Sequence, residues 1–140
     1  PITGRLIEEL GEKIAFVYRH FPLKQNHRNA EMASWAVEAA GKQNKFWEMH
    51  DIIFENQNEW TNRENAEEYF INYAESLNLN IEQFRNDSNS EEIKNKVEND
   101  FQSGLRSGIN STPTFFLNGQ KIRNPKSYDE FRNIINQALQ

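Results

Sequence analysis

Apolar positions recur every three or four residues through most of this chain; they run together near the start and again near the end. Ile2, Leu6, Ile7 and Leu10 keep helical spacing and stop at Gly11, a residue suited to the position just past a helix end. Ile14-Ala15-Phe16-Val17-Tyr18 then forms an unbroken apolar run before Pro22, which predicts a buried strand over residues 13–18. Residues 29–41 return to helix, with Ala30, Ala33, Val37 and Ala40 on one stripe. Residues 44–57 continue it with Phe46, Trp47, Met49, Ile52, Ile53 and Phe54. Thr61-Asn62-Arg63-Glu64 reads as a capping box for a helix burying Ala66, Phe70, Tyr73, Ala74 and Leu77. A short helical turn holds Ile81 and Phe84. Ser88-Asn89-Ser90-Glu91 reads as a second box, opening a helix whose face is Ile93, Val97, Phe101 and Leu105.

The pattern changes again after Gly108. Thr112-Pro113 leads into an apolar strand over residues 114–117, Asn118-Gly119 makes a tight turn, and a strand over 120–122 returns. Proline cannot donate to a ladder and belongs at a strand's start or edge. Ser127-Tyr128-Asp129-Glu130 is a third capping box, and Phe131, Ile134, Ile135 and Leu139 are the buried face of the last helix. The order is therefore α-β, five helices, then β-β-α.

Composition narrows the chemistry. The 140 residues carry a net charge of −5 with scattered basic residues, which gives no electrostatic footprint for nucleic acid. No apolar run approaches the roughly 20 residues that span a bilayer. The start, Pro1-Ile2-Thr3-Gly4-Arg5, has neither an initiator Met nor the apolar core of a signal peptide, and Pro1 reads as a cut boundary. There is no cysteine, and Met32 and Met49 are thioethers that cannot replace a thiol. His20, His27 and His50 lie at spacings that match no metal motif, so no metal and no cofactor is expected. His50 reads as a hydrogen-bonded histidine at the core edge, His27 as a solvated residue near a helix start, and His20 as a residue that follows the first strand, with a catalytic role as the lesser alternative. Trp35, Phe46, Trp47, Phe54 and Trp60 are core residues by pattern, with the lining of a peptide groove as the alternative. The pairs Glu8-Glu9, Glu67-Glu68 and Glu91-Glu92 read as solvated helix faces.

Gly108-Ile109-Asn110-Ser111-Thr112-Pro113-Thr114-Phe115-Phe116-Leu117-Asn118-Gly119 resembles the cis-proline loop of the thioredoxin superfamily, and more narrowly that of DsbA-family thiol:disulfide oxidoreductases. Val17-Tyr18-Arg19-His20-Phe21-Pro22-Leu23, His27-Arg28-Asn29-Ala30 and Lys45-Phe46-Trp47-Glu48-Met49-His50-Asp51 extend the resemblance over nearly the whole chain. It implies an α/β, thioredoxin-like fold lacking its N-terminal strand, with an all-helical insertion between the βα and ββα halves. The implied divisions are 1–23 (the rest of the active-site helix and a strand), 24–107 (the helical insertion) and 108–140 (the proline loop, hairpin and last helix).

The family's chemistry needs a Cys-x-x-Cys pair, and this chain has none, so the resemblance puts the catalytic cysteines upstream of Pro1 and leaves the chain itself redox-inactive. It implies substrate binding at Thr112, Pro113 and Ser111, with Thr112 offering its backbone to an extended substrate and the Thr112–Pro113 bond cis. Read alone, Pro113 is equally a trans turn proline. Many relatives carry Gly where Ser111 stands. The implied partners are protein thiol or disulfide substrates and a redox partner protein, in the bacterial extracytoplasmic space. The missing strand would be central in the sheet, so the chain is expected to fold poorly alone, close the gap, or exchange a strand with another copy. The alternatives are a non-redox peptide-binding module of the same fold and, less well matched by the Thr-Pro-Thr-Phe-Phe loop, a glutathione-dependent isomerase or transferase.

Overall fold

A computed structural model describes residues 2–140. Pro1, and with it the reading of that residue as a boundary, lies outside them. The chain falls into two compact units, one formed by Pro1–Tyr18 with Gly108–Gln140 and the other by Arg19–Ser107.

The first unit contains α1 (Ile2–Leu10), a hairpin of β1 (Phe115–Leu117) and β2 (Gln120–Ile122), and later in the chain the amphipathic helix Tyr128–Leu139. Leu6 and Leu10 of α1 meet Phe131 and Ile135 of that last helix in a small core, with Ile14, Phe115, Ile122 and Tyr128 packed against it. The Phe115 and Phe131 rings meet edge-on at 4.8 Å. At the helix start the Ser127 hydroxyl accepts from Glu130 N–H at 3.1 Å, and Glu130 Oε2 accepts from Lys126 N–H at 2.8 Å. Leu139, expected in the buried face, is exposed, because the core ends a turn earlier at Ile135.

β1 and β2 pair antiparallel with Phe115 opposite Ile122, Phe116 opposite Lys121 and Leu117 opposite Gln120. The two-residue turn takes Asn118 to φ +49° and Gly119 to φ +80°, the left-handed backbone that Asn-Gly supplies. Among the described residues this is the whole sheet. The strand expected over residues 13–18 is not formed. Its side chains keep the two-residue alternation of burial that a strand would show, with Val17 71% exposed, but no ladder is built there. A strand is defined by its partner, and apolar content alone does not supply one.

The second unit is helical: α2 (Ala30–Gly41), α3 (Phe46–Glu55), α4 (Gln57–Trp60), α5 (Ala66–Ser76), α6 (Ile81–Ser88) and α7 (Glu91–Arg106); the last helix of the chain is thus α8. Alanines 33, 36, 39 and 40 let α2 run through the middle, packed by Met49, Ile53, Trp60, Phe70, Ala74, Phe84 and Ile93. Trp60 sits edge-on to Phe70 at 5.3 Å, and its indole N–H donates to the Ile53 carbonyl at 2.9 Å.

Two expected caps are placed differently. The Thr61 hydroxyl turns back to the Gln57 carbonyl instead of opening α5, whose first residue is Ala66. Ser90, not Ser88, caps α7, accepting from Ile93 N–H at 3.3 Å, while the Ser88 hydroxyl donates to the Phe84 carbonyl at 2.7 Å. In each case the hydroxyl bonds the carbonyl three or four residues back, the local alternative open to Ser and Thr. On α7 the buried stripe is Ile93, Val97 and Gly104, and Leu105 is 48% exposed.

Candidate functional site

The loop between Gly108 and β1 holds every residue expected to bind substrate, and all three are exposed: Ser111, Thr112 and Pro113. Gly108 enters it at φ +76° with open space around it, a backbone that glycine adopts without steric cost. The Thr112–Pro113 peptide bond is cis.

Two side chains fasten the loop on either side of Thr112. The Thr114 hydroxyl donates to the Ser111 carbonyl at 2.7 Å, and the Asn124 amide, from beyond β2, donates to the Pro113 carbonyl at 2.8 Å. Among the described residues, none makes a hydrogen bond to the Thr112 backbone. The chain then enters β1, which pairs with β2 on one side only. The other edge of β1 therefore presents backbone groups that another strand can use. Phe116, whose side chain alternates away from the small core, is 44% exposed. The loop is thus a fixed and accessible stretch of backbone beside an open strand edge, which suits it to pairing with an extended segment.

Elsewhere in this unit Glu9 joins α1 to α8. It accepts from the Tyr128 hydroxyl, lies 3.3 Å from Arg5 Nε and 3.7 Å from Arg132 Nε, and Arg5 stacks on the Tyr128 ring at 3.9 Å. The Tyr128 hydrogen bond, with the two arginines, holds the Glu9 carboxyl below its ordinary range. These groups make a clasp between helices and not an acid–base pair.

The helical unit contains a polar cluster that spacing did not reveal. His20 is only 3% exposed. Its Nε2 lies 2.8 Å from Glu38 Oε1, and its backbone N–H donates to Asp100 Oδ2 at 3.2 Å. Lys96 Nζ bridges the same two carboxylates, 2.8 Å from Glu38 Oε1 and 3.0 Å from Asp100 Oδ2. Atoms of His20, Glu38 and Asp100 that could ligate a metal fall within 4.8 Å of one another. The Lys96 ammonium already supplies the positive charge such a cluster requires, so the arrangement acts as an ion-pair lock between the segment before α2, α2 and α7. Burial opposes ionisation of Glu38, but hydrogen bonds from His20 and Lys96 outweigh it and hold the carboxyl low. Lys96–Asp100 is an i,i+4 pair that a sequence can suggest; His20 and Glu38 join it only through the fold.

On α3 the rings of Phe46, Trp47, His50 and Phe54 form a row, with successive centres 4.9, 5.4 and 4.6 Å apart. His50 Nδ1 lies 3.0 Å from Asp51 Oδ1, and His27 is exposed. Trp60 is core; Trp47 and Phe54 are exposed on α3; Trp35 lines a separate small cleft. Trp60 and Trp35 thus stand apart from the row on α3. Of the acidic pairs, Glu92 is bound to Lys42 at 2.6 Å and Glu68 to the Asn65 amide at 2.9 Å. No helix among the described residues is long and apolar enough to cross a membrane.

Comparison with known proteins gives two findings. A family model described as thioredoxin matches residues 3–137. Among curated proteins, the chain is 35% identical over 126 residues to a protein named Na(+)/H(+) antiporter NhaA 3 of Salinispora tropica, covering 90% of this chain and 19% of that one. It is 36% identical over 119 residues to the Na(+)/H(+) antiporter NhaA of Herminiimonas arsenicoxydans, covering 85% of this chain and 18% of the relative. The chain thus spans about a fifth of the length of the curated relatives it matches.

Proposed function

The chain belongs to the thioredoxin family, and from that premise we propose that it is the thioredoxin-like part of a DsbA-type protein thiol:disulfide oxidoreductase. The observation that carries this reading is the loop. Thr112 is left open between two pinned carbonyls beside an unpaired strand edge, where an extended substrate could add main-chain hydrogen bonds. Such bonds hold many sequences, as an enzyme acting on diverse proteins needs.

The chemistry itself is thiolate attack on one sulfur of a disulfide, forming a mixed disulfide and releasing the other sulfur as thiolate. The 140 residues contain no cysteine, so in this reading the reacting thiols come from polypeptide outside them, and residues 1–140 supply substrate docking. We place the parent protein outside the cytoplasm, where disulfides persist, with protein substrates and a redox partner protein.

A second reading is favoured by the cysteine count and by the names of the relatives. It is a non-redox module that holds extended peptides at Thr112-Pro113 within a longer, transporter-containing polypeptide. One experiment separates the two: dithiothreitol-driven insulin reduction by the natural full-length protein and by the 140-residue chain. The oxidoreductase reading expects turnover by the full-length protein and none by the chain alone. A folded full-length protein that binds unfolded peptides but never reduces insulin overturns it and leaves the binding module.

A further inference from the structure

Residues 107–128 contain Lys121, Arg123 and Lys126 and no aspartate or glutamate, in a protein whose net charge is −5. All three cations are exposed, and among the described residues no carboxylate lies within ion-pair distance of them. Arg5 and Arg132 of the same unit, by contrast, both lie against Glu9. The hairpin brings the free cations to the proline loop. Ile122 pairs with Phe115, and beyond it the Asn124 amide donates to the Pro113 carbonyl at 2.8 Å, so Arg123 falls opposite Thr114. Side chains alternate between the two faces of a hairpin. Phe115 and Ile122 pack on the small core, which puts Lys121 and Arg123 on the outer face with the exposed Phe116. Lys126 stands at the entry to α8, where its backbone N–H donates to Glu130 Oε2 at 2.8 Å.

We propose that Arg123 and Lys126, with Lys121 farther along the hairpin, select protein segments that carry aspartate or glutamate beside the stretch paired with Thr112. This rests on the reading that Thr112 offers its backbone to an extended segment. Main-chain pairing is blind to sequence, so discrimination comes from the side chains around it. Those beside this loop are cations without a counter-charge. Exposed charges act chiefly on the choice of partner and on the rate of encounter, and the groups that attract a carboxylate also repel a lysine-rich segment. An anionic bilayer fits less well. Clusters that bind lipid headgroups hold about 4–8 Lys or Arg, whereas this hairpin and its exit hold Lys121, Arg123 and Lys126, with Asp129 and Glu130 close behind.

The test is calorimetric titration of the natural full-length protein with three acetylated, amidated peptides. Each has the centre Val-Thr-Val-Ser, flanked on both sides by paired glutamates, glutamines or lysines. The glutamate peptide should bind about three- to tenfold more tightly than the glutamine peptide, and the lysine peptide should bind least. Sodium chloride at about 0.5 M should erase the difference. Arg123→Gln and Lys126→Gln should each reduce the preference. Arg28→Gln, which removes the same charge from the helical unit, should leave it in place. Equal affinity for the three peptides overturns the proposal and leaves the loop reading standing. Binding of none of them overturns the loop reading, and the proposal with it. A preference that survives the combined loss of Arg123 and Lys126 also overturns the proposal, as does displacement of the peptides by phosphatidylglycerol vesicles.

Discussion

Asn29 shows how one side chain can organise a junction. It is 5% exposed, and its amide nitrogen lies within hydrogen-bond distance of three carbonyls, those of Trp60 at 2.8 Å, Thr61 at 3.1 Å and Arg63 at 2.8 Å. These oxygens end α4 and lead toward α5, where no side chain caps the helix. Asn29→Ala leaves them without their donor in a largely buried place. The expected loss is about 2 kcal/mol or more, measured by urea denaturation. Asn29→Asp should cost at least as much at neutral pH, because it turns an acceptor charge toward acceptors. Glu38 makes a second prediction at this scale. Its folded carboxyl is held below the ordinary 4.5, so its ionic bonds stabilise the fold above that value and are lost as pH falls through the depressed one. Stability should decline on acidification below about pH 4.5, and Glu38→Gln should flatten that decline while lowering stability at neutral pH. Thermal melts between pH 3 and 7 check both statements. An acid limb unchanged in the variant would remove Glu38 from the account.

At the scale of elements, helices were legible and their ends were not. The stripes of α1, α2, α5 and α8 follow from periodicity, since a helix that must bury one face repeats apolar residues every three or four positions. The caps were misplaced because Ser and Thr can bond either forward to an amide or back to a carbonyl, and the choice is made by where the next helix packs. The structure therefore makes a paired prediction. Ser90→Ala should destabilise by about 1 kcal/mol, while Ser88→Ala should change stability by less than about 0.5 kcal/mol. Denaturant midpoints of the two variants decide it, and equal effects would restore Ser88 as the cap. The hairpin was read correctly because Asn118-Gly119 imposes its turn locally. The strand over residues 13–18 was not, because its sequence carries hydrophobicity but not a partner.

For the whole molecule, the open edge of β1 is the decisive feature. A two-stranded sheet is marginal by itself, and an uncovered edge invites another strand. The isolated 140-residue chain is expected to associate with increasing concentration through that edge, giving a weight-average mass above 16.5 kDa in sedimentation equilibrium. Asn118→Pro would not test this, since it breaks the hairpin itself; Phe116→Lys, which places a charge on the exposed face of the edge strand, should shift the chain toward monomer. A chain that stays monomeric and melts cooperatively at every concentration closes the edge some other way.

By itself the sequence determined the helical stripes, the Asn-Gly hairpin, the proline loop that marks the family, and the impossibility of thiol chemistry within these residues. Each is a local property: a repeat, a turn residue or a composition. Only the tertiary structure decided that residues 13–18 form no ladder, that Asn29 holds three carbonyls more than thirty positions away, and that His20 and Lys96 share the carboxylates of Glu38 and Asp100. It also decided that Thr112 stands open between two pinned neighbours. The physical reason is common to them all. Hydrogen bonds and ladders need two partners, and in each of these cases the partner is chosen by how distant segments pack and not by the residues that lie beside it in the chain.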